Sequence, residues 1–161
     1  MFDILKRHFS SPGGRDASSR FAVDDPRLAV AALMVHVVAA DGVVTAQERR
    51  RLEEELTRRY ALDPAQAVAL VAAAREAESD TATLQTFTAA LRRRLAPEER
   101  REIVVSLWRM VFADGDLHEF EDNVVWRIAD LLGVAAHERV ALRKEIEAEE
   151  DARRQVEDDA T

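Results

Sequence analysis

Ala40-Asp41-Gly42-Val43-Val44-Thr45-Ala46-Gln47-Glu48 and Ala113-Asp114-Gly115-Asp116-Leu117-His118-Glu119-Phe120-Glu121 are two versions of one pattern. Each follows an apolar run of helical period and leads into another. Asp-Gly therefore marks a turn, and the Glu seven residues on falls in the first turn of the next helix. The likeness extends outward from the loops. At an offset of 73 residues Ala31 meets Val104, Val35 meets Trp108, Val44 meets Leu117, Glu48 meets Glu121 and Leu52 meets Val125. One residue is lost in the following helix, after which the run from Leu62 to Leu70 matches that from Val134 to Leu142 at an offset of 72. Each half is thus helix, Asp-Gly loop, helix, short turn, helix, over about residues 28–74 and 101–146. Two copies are too few for a solenoid, which needs three or more stacked units. The halves are expected to close over a shared core with approximate twofold symmetry, joined by the segment Leu84 to Leu95.

Composition agrees with a helical reading. Five Gly and four Pro among 161 residues, against abundant Ala, Leu, Glu and Arg, favour helix throughout. The expected fold is all-α, a compact bundle of about seven or eight helices built from the two duplicated halves. Helix starts are marked by Asp25-Pro26, by the capping box Thr45-Ala46-Gln47-Glu48, by Asp63-Pro64 and by Pro97-Glu98-Glu99. Gly133 provides a stop. The core candidates are Leu28, Ala31, Ala32, Val35 and Ala39 as one stripe, then Leu52 and Leu56, Val68, Leu70 and Val71, and Leu84, Phe87, Leu91 and Leu95. In the second half they are Ile103, Val104, Leu107, Trp108, Met110 and Val111, then Val124, Val125, Ile128, Leu131 and Leu132, and finally Val140, Leu142 and Ile146. The domain is expected over residues 23–148. Residues 1–22 read as a short amphipathic helix and flexible linker, and residues 149–161 as a charged disordered tail.

Several function classes fall away at this level. A formal charge of -8 argues against phosphate-backbone binding, so nucleic acid is not an expected partner. The absence of cysteine removes disulfides, thiolate metal sites and thiol catalysis together. No apolar run is long enough for a membrane span, and Met1 to Ser10 lacks the apolar core of a secretory signal, which makes the cytoplasm the expected compartment. Residues 1–9 carry Phe2, Leu5 and Phe9 on one side and could make a weak peripheral membrane contact. A helical di-iron enzyme would need Glu three residues before its histidines. Those positions hold Leu5, Leu33, Gly115 and Val134. With no phosphate-cradling Gly-rich loop and no nucleophile elbow, no enzymatic activity is expected.

The loops themselves carry the remaining chemistry. Asp-Gly-x-Φ-x-x-x-Glu, with Φ apolar, is the back half of an EF-hand loop: a carboxylate, the Gly of the sharp turn, an apolar residue and a Glu able to chelate through two oxygens. The front half is missing, because Val37 and Ala39 in one copy and Met110 and Phe112 in the other stand where an EF-hand has Asp or Asn. Asp41 and Glu48 offer two carboxylates to a metal. Asp114, Asp116 and Glu121 offer three, with Glu119 and Asp122 nearby and His118 as a nitrogen donor. Hard oxygen ligands make Ca²⁺ or Mg²⁺ the expected cation ahead of Zn²⁺. The alternative is that Asp41-Gly42 is a helix stop and Thr45 with Glu48 a capping box, with no metal at all.

The duplicated Ala-Asp-Gly-x-Val/Leu-x-x-x-Glu, followed by a helix ending at Leu131-Leu132-Gly133-Val134, resembles the TerB family of tellurite-resistance proteins, whose domain also occurs in DjlA-type co-chaperones. The resemblance covers Leu28 to Ile146. It implies a bacterial helical module tied to tellurite and metal stress, with metal-binding carboxylates at Asp41, Glu48, Asp114 and Glu121. Asp116 is this chain's own addition, since the first copy has Val43 there. Two functions follow from these readings: a non-enzymatic module that binds divalent cations at the Asp-Gly loops, or a metal-independent interaction scaffold or co-chaperone-type adaptor. Either implies a protein partner.

Overall fold

Each helix begins where a cap or a proline marks it. In the computed structural model, which describes residues 21, 25–39, 43–78, 83–113 and 119–161, the Asp25 carboxylate accepts the Arg27 backbone N–H at 2.9 Å. Pro26 takes the first helical position of α1 (Pro26–Val38), where its missing N–H costs nothing. Thr45 and Glu48 close a reciprocal capping box at the start of α2 (Ala46–Tyr60). Asp63 and Gln66 exchange the same two bonds, at 2.8 and 2.9 Å, ahead of α3 (Pro64–Glu78). The connecting helix α4 (Thr83–Arg94) precedes α5 (Pro97–Phe112), whose start is tied by the Ala96 N–H to Glu99 Oε1 at 3.3 Å. Next come α6 (Glu119–Leu131) and α7 (Ala136–Asp159). The fold is all-α, with no strand among the described residues.

The duplication is visible in how the helices end and in how they pair. α2 stops at Ala61 in the left-handed region (φ +52°), with the Leu62 N–H reaching back to the Thr57 carbonyl. α6 stops at Gly133 (φ +78°), with the Val134 N–H reaching back to the Ala129 carbonyl. All three positions correspond at the offset of 72, so both halves share one C-terminal turn. The main pairing in the first half is α1 against α3, and in the second α5 against α7, its duplicate. α4 lies across both halves, against α1, α3, α5 and α6.

α1 is the hub. It packs on α2, α3, α4, α5 and α6, so every residue from Leu28 to Val35 is buried, as are Val37 and Val38. The expected single stripe is therefore a helix apolar on all sides, because neighbours surround it. Ala39, assigned to that stripe, is only half-buried at the end of the helix. Around α1 the core is completed by Leu52, Leu56, Leu70, Leu91, Ile103, Leu107, Trp108, Val125, Ile128 and Leu132, all 1% exposed or less.

Three expectations need correction. Phe21, placed in the flexible linker, is 2% exposed, and the Arg27 guanidinium lies 4.9 Å from its ring centroid. An aromatic ring next to an apolar bundle gains by leaving water, whatever the composition around it. The remainder of residues 1–20 lies outside the described residues. Val140, assigned to the core, is 44% exposed, as is its duplicate Val68 at 53%. The expected tail is helical: α7 runs through residues 149–159 without a break. Low hydrophobicity suggested disorder there, but the charges pair one turn apart, Glu150 with Arg153 and Asp151 with Arg154. No helix among the described residues is long and apolar enough to cross a membrane.

Candidate functional site

The two Asp-Gly loops join α1 to α2 and α5 to α6. Asp41 and Gly42, and the run from Asp114 to His118, lie outside the described residues, so the site is read from the helix starts that follow them. Glu48 and Glu121 each occupy the third position of their helix, and there the equivalence ends. Glu48 is half-buried, and its Oε2 accepts the Thr45 N–H at 3.0 Å while Thr45 Oγ1 accepts the Glu48 N–H at 3.1 Å. Chelation through both Glu48 oxygens would compete with this cap. Val43 in the same loop is exposed, and Val44 packs against the core.

Glu121 is 7% exposed, one of three buried carboxylates among the described residues. Its neighbour Asp122 is fully engaged. Asp122 Oδ1 accepts Arg143 Nε at 3.0 Å, and Oδ2 accepts the Trp126 indole N–H at 3.3 Å. Asp122, counted as a nearby carboxylate for a metal, is instead the pin between α6 and α7. Arg143 extends this junction. Its guanidinium lies 5.5 Å from the Trp108 ring centroid and 5.3 Å from that of Phe112. Trp108 in turn meets Trp126 edge-on, with centroids 5.5 Å apart, and stacks on Phe112 at 5.8 Å. Cation–π contacts of this kind are worth about 0.5–2 kcal/mol each, more as water is excluded.

The second loop therefore springs from a cluster of three aromatic rings and one arginine, which the first loop lacks. Sequence reasoning named Trp108 as core but missed Arg143, Trp126 and the role of Asp122. The available signal was the spacing of Asp122 to Trp126 and of Arg139 to Arg143, each one helical turn. Arg139 Nη1 donates to the Trp126 carbonyl at 3.2 Å, adding a second tie between the same helices. Among the described residues no three His, Asp or Glu side chains converge as a metal site would.

A family model described as "Tellurite resistance protein TerB" matches residues 27–144. The chain belongs to the TerB family. Comparison with curated proteins and with solved structures gives no match. The TerB match takes in both Asp-Gly loops and the whole of α1 to α6 except Pro26, but it stops within α7. The stretch of α7 from Glu145 to Asp159 lies beyond the matched residues and continues them as a single helix.

Proposed function

We propose that this TerB-family chain is a non-enzymatic module of the tellurite and metal-stress response, taking up a divalent cation at its second Asp-Gly loop. Ca²⁺ or Mg²⁺ fits the oxygen donors better than Zn²⁺. The observation that carries this reading is the unequal placement of two equivalent glutamates. Glu48 is used in a cap, whereas Glu121 is buried, seven residues after Asp114 and five after Asp116. An Asp and a Glu seven residues apart have the spacing of a hard-cation loop, in which the Glu chelates through two oxygens. Asp41 and Glu48 keep the form of a half-site, and the first loop serves as a helix junction. The cytoplasm suits such a role.

Metal-free protein titrated with Ca²⁺, Mg²⁺, Mn²⁺ and Zn²⁺ tests the proposal, with thermal stability and tryptophan fluorescence followed together. Trp108 and Trp126 flank the junction and should report on the loop. A cation at a hundredfold excess over its Kd adds about 2.7 kcal/mol of stability. Asp114→Asn with Asp116→Asn should abolish the gain. Glu48→Gln should retain it, because Gln serves equally in a capping box. No shift with any ion at millimolar concentration would overturn the reading.

A second reading is a metal-independent interaction scaffold or co-chaperone-type adaptor with a protein partner. It is favoured by Asp122, whose bonds to Arg143 and Trp126 fasten the α6–α7 junction through protein groups alone. Under it, the cation titration leaves stability and fluorescence unchanged.

A further inference from the structure

The end of α7, beyond the residues matched to TerB, forms one wall of a cleft. α2 and α7 share no packing contact among the described residues, yet both lie against α5. The gap between them is a cleft of about 360 Å³, floored by Met110 and Ala113. Glu55 from α2 and Glu150 from α7 stand in opposite walls, at 8% and 6% exposure. Each is neutralised by an arginine one turn on, Glu55 by Arg58 and Glu150 by Arg153, the latter at 2.5 Å. The two arginine side chains are more than half exposed, 57% and 55%, so they reach from buried carboxylates toward the mouth. Arg51, Arg109 and Glu54 complete the lining, and Arg109 also faces Glu149 at 3.7 Å.

Four guanidinium groups against three lining carboxylates leave the cleft positive in a chain of charge -8. A guanidinium has five N–H donors in a planar fork, and one carboxylate takes at most two of them. Arg58 and Arg153 are held in place by their buried partners and retain donors for a ligand. We propose that this cleft binds a small polyvalent oxyanion, of phosphate or carboxylate type, by bidentate hydrogen bonds from the arginines. Its volume lies within the range of small-molecule sites. The site draws its arginines from α2, α5 and the end of α7, and Ala113 at its floor leads into the second Asp-Gly loop.

Calorimetry on the metal-stripped, full-length protein at constant ionic strength tests this, with pyrophosphate and citrate as probes to separate phosphoryl from carboxylate ligands. Saturable one-to-one binding of at least one probe is expected. Arg51→Gln with Arg109→Gln, which leaves both buried ion pairs intact, should weaken it by about tenfold or more. Arg92→Gln with Arg93→Gln removes the same charge from α4, outside the cleft lining, and should leave affinity within about twofold. Circular dichroism establishes that both variants are folded. Absence of saturable binding of either probe up to millimolar concentration overturns the proposal. An equal loss in both double variants also overturns it, because that outcome means diffuse attraction and not a site.

Discussion

Ala61 and Gly133 hold the same place in the two halves, and both adopt the left-handed backbone that ends a helix. Only glycine does so without strain, since a Cβ there crowds the following carbonyl. Ala61→Gly is therefore expected to stabilise the protein by about 0.5–1 kcal/mol. Gly133→Ala should destabilise it by about 1–2 kcal/mol. A Cβ at Gly133 would lie 3.0 Å from Arg100 Nη1, which donates to the Leu132 carbonyl at 2.8 Å. Urea midpoints of the two variants should move in opposite directions, and a common direction refutes the argument. Asp25 offers a pH test. Burial raises its pKa, but hydrogen bonds from the Arg27 side chain and backbone outweigh this and hold it below the ordinary carboxylate value. The stability it contributes is present above the unfolded value of about 3.9 and lost as pH falls through the lower native value. Asp25→Asn keeps the cap and loses the charge, so it should cost about 0.5–1 kcal/mol at neutral pH. That difference should narrow in urea titrations repeated at successively lower pH below the unfolded value.

At the scale of elements, α7 shows why composition misled. Averaged over its last three turns the helix looks too polar to fold, yet single contacts hold it to α5. Ile146 is 3% exposed, Glu149 faces Arg109 at 3.7 Å, and Arg154 donates to the Phe112 carbonyl at 3.4 Å. Ile146→Ala should cost about 2–4 kcal/mol, the range for a buried aliphatic side chain. Val140→Ala, on the exposed side of the same helix, should stay within about 0.5 kcal/mol. Equal costs in chemical denaturation would mean that α7 is docked with a different face. The caps were legible because each depends on residues within one turn. The face of a helix that meets its neighbours was legible only where the apolar residues formed a narrow stripe, as in α2, and not in α1, which is apolar all round.

At the scale of the molecule, the halves share one core. α1 of the first half packs on α5 and α6 of the second, and α4 bridges both. Unfolding should then be a single cooperative transition. Both tryptophans lie in the second half, whereas helix content reports on the whole chain. Fluorescence and circular dichroism melting curves should coincide, and a separate fluorescence transition would mean that the halves unfold independently. The sequence by itself determined the helical class, the helix starts and the duplication, because capping, proline placement and apolar period act over a few residues. The resemblance to TerB rested on the same local patterns. Only the tertiary structure decided that Glu121 is buried, that Asp122 is held by Arg143 of α7, and that arginines from α2, α5 and α7 meet around one cleft. Those facts depend on side chains far apart in the chain, whose contacts are set by how the helices pack and which surfaces that packing removes from water.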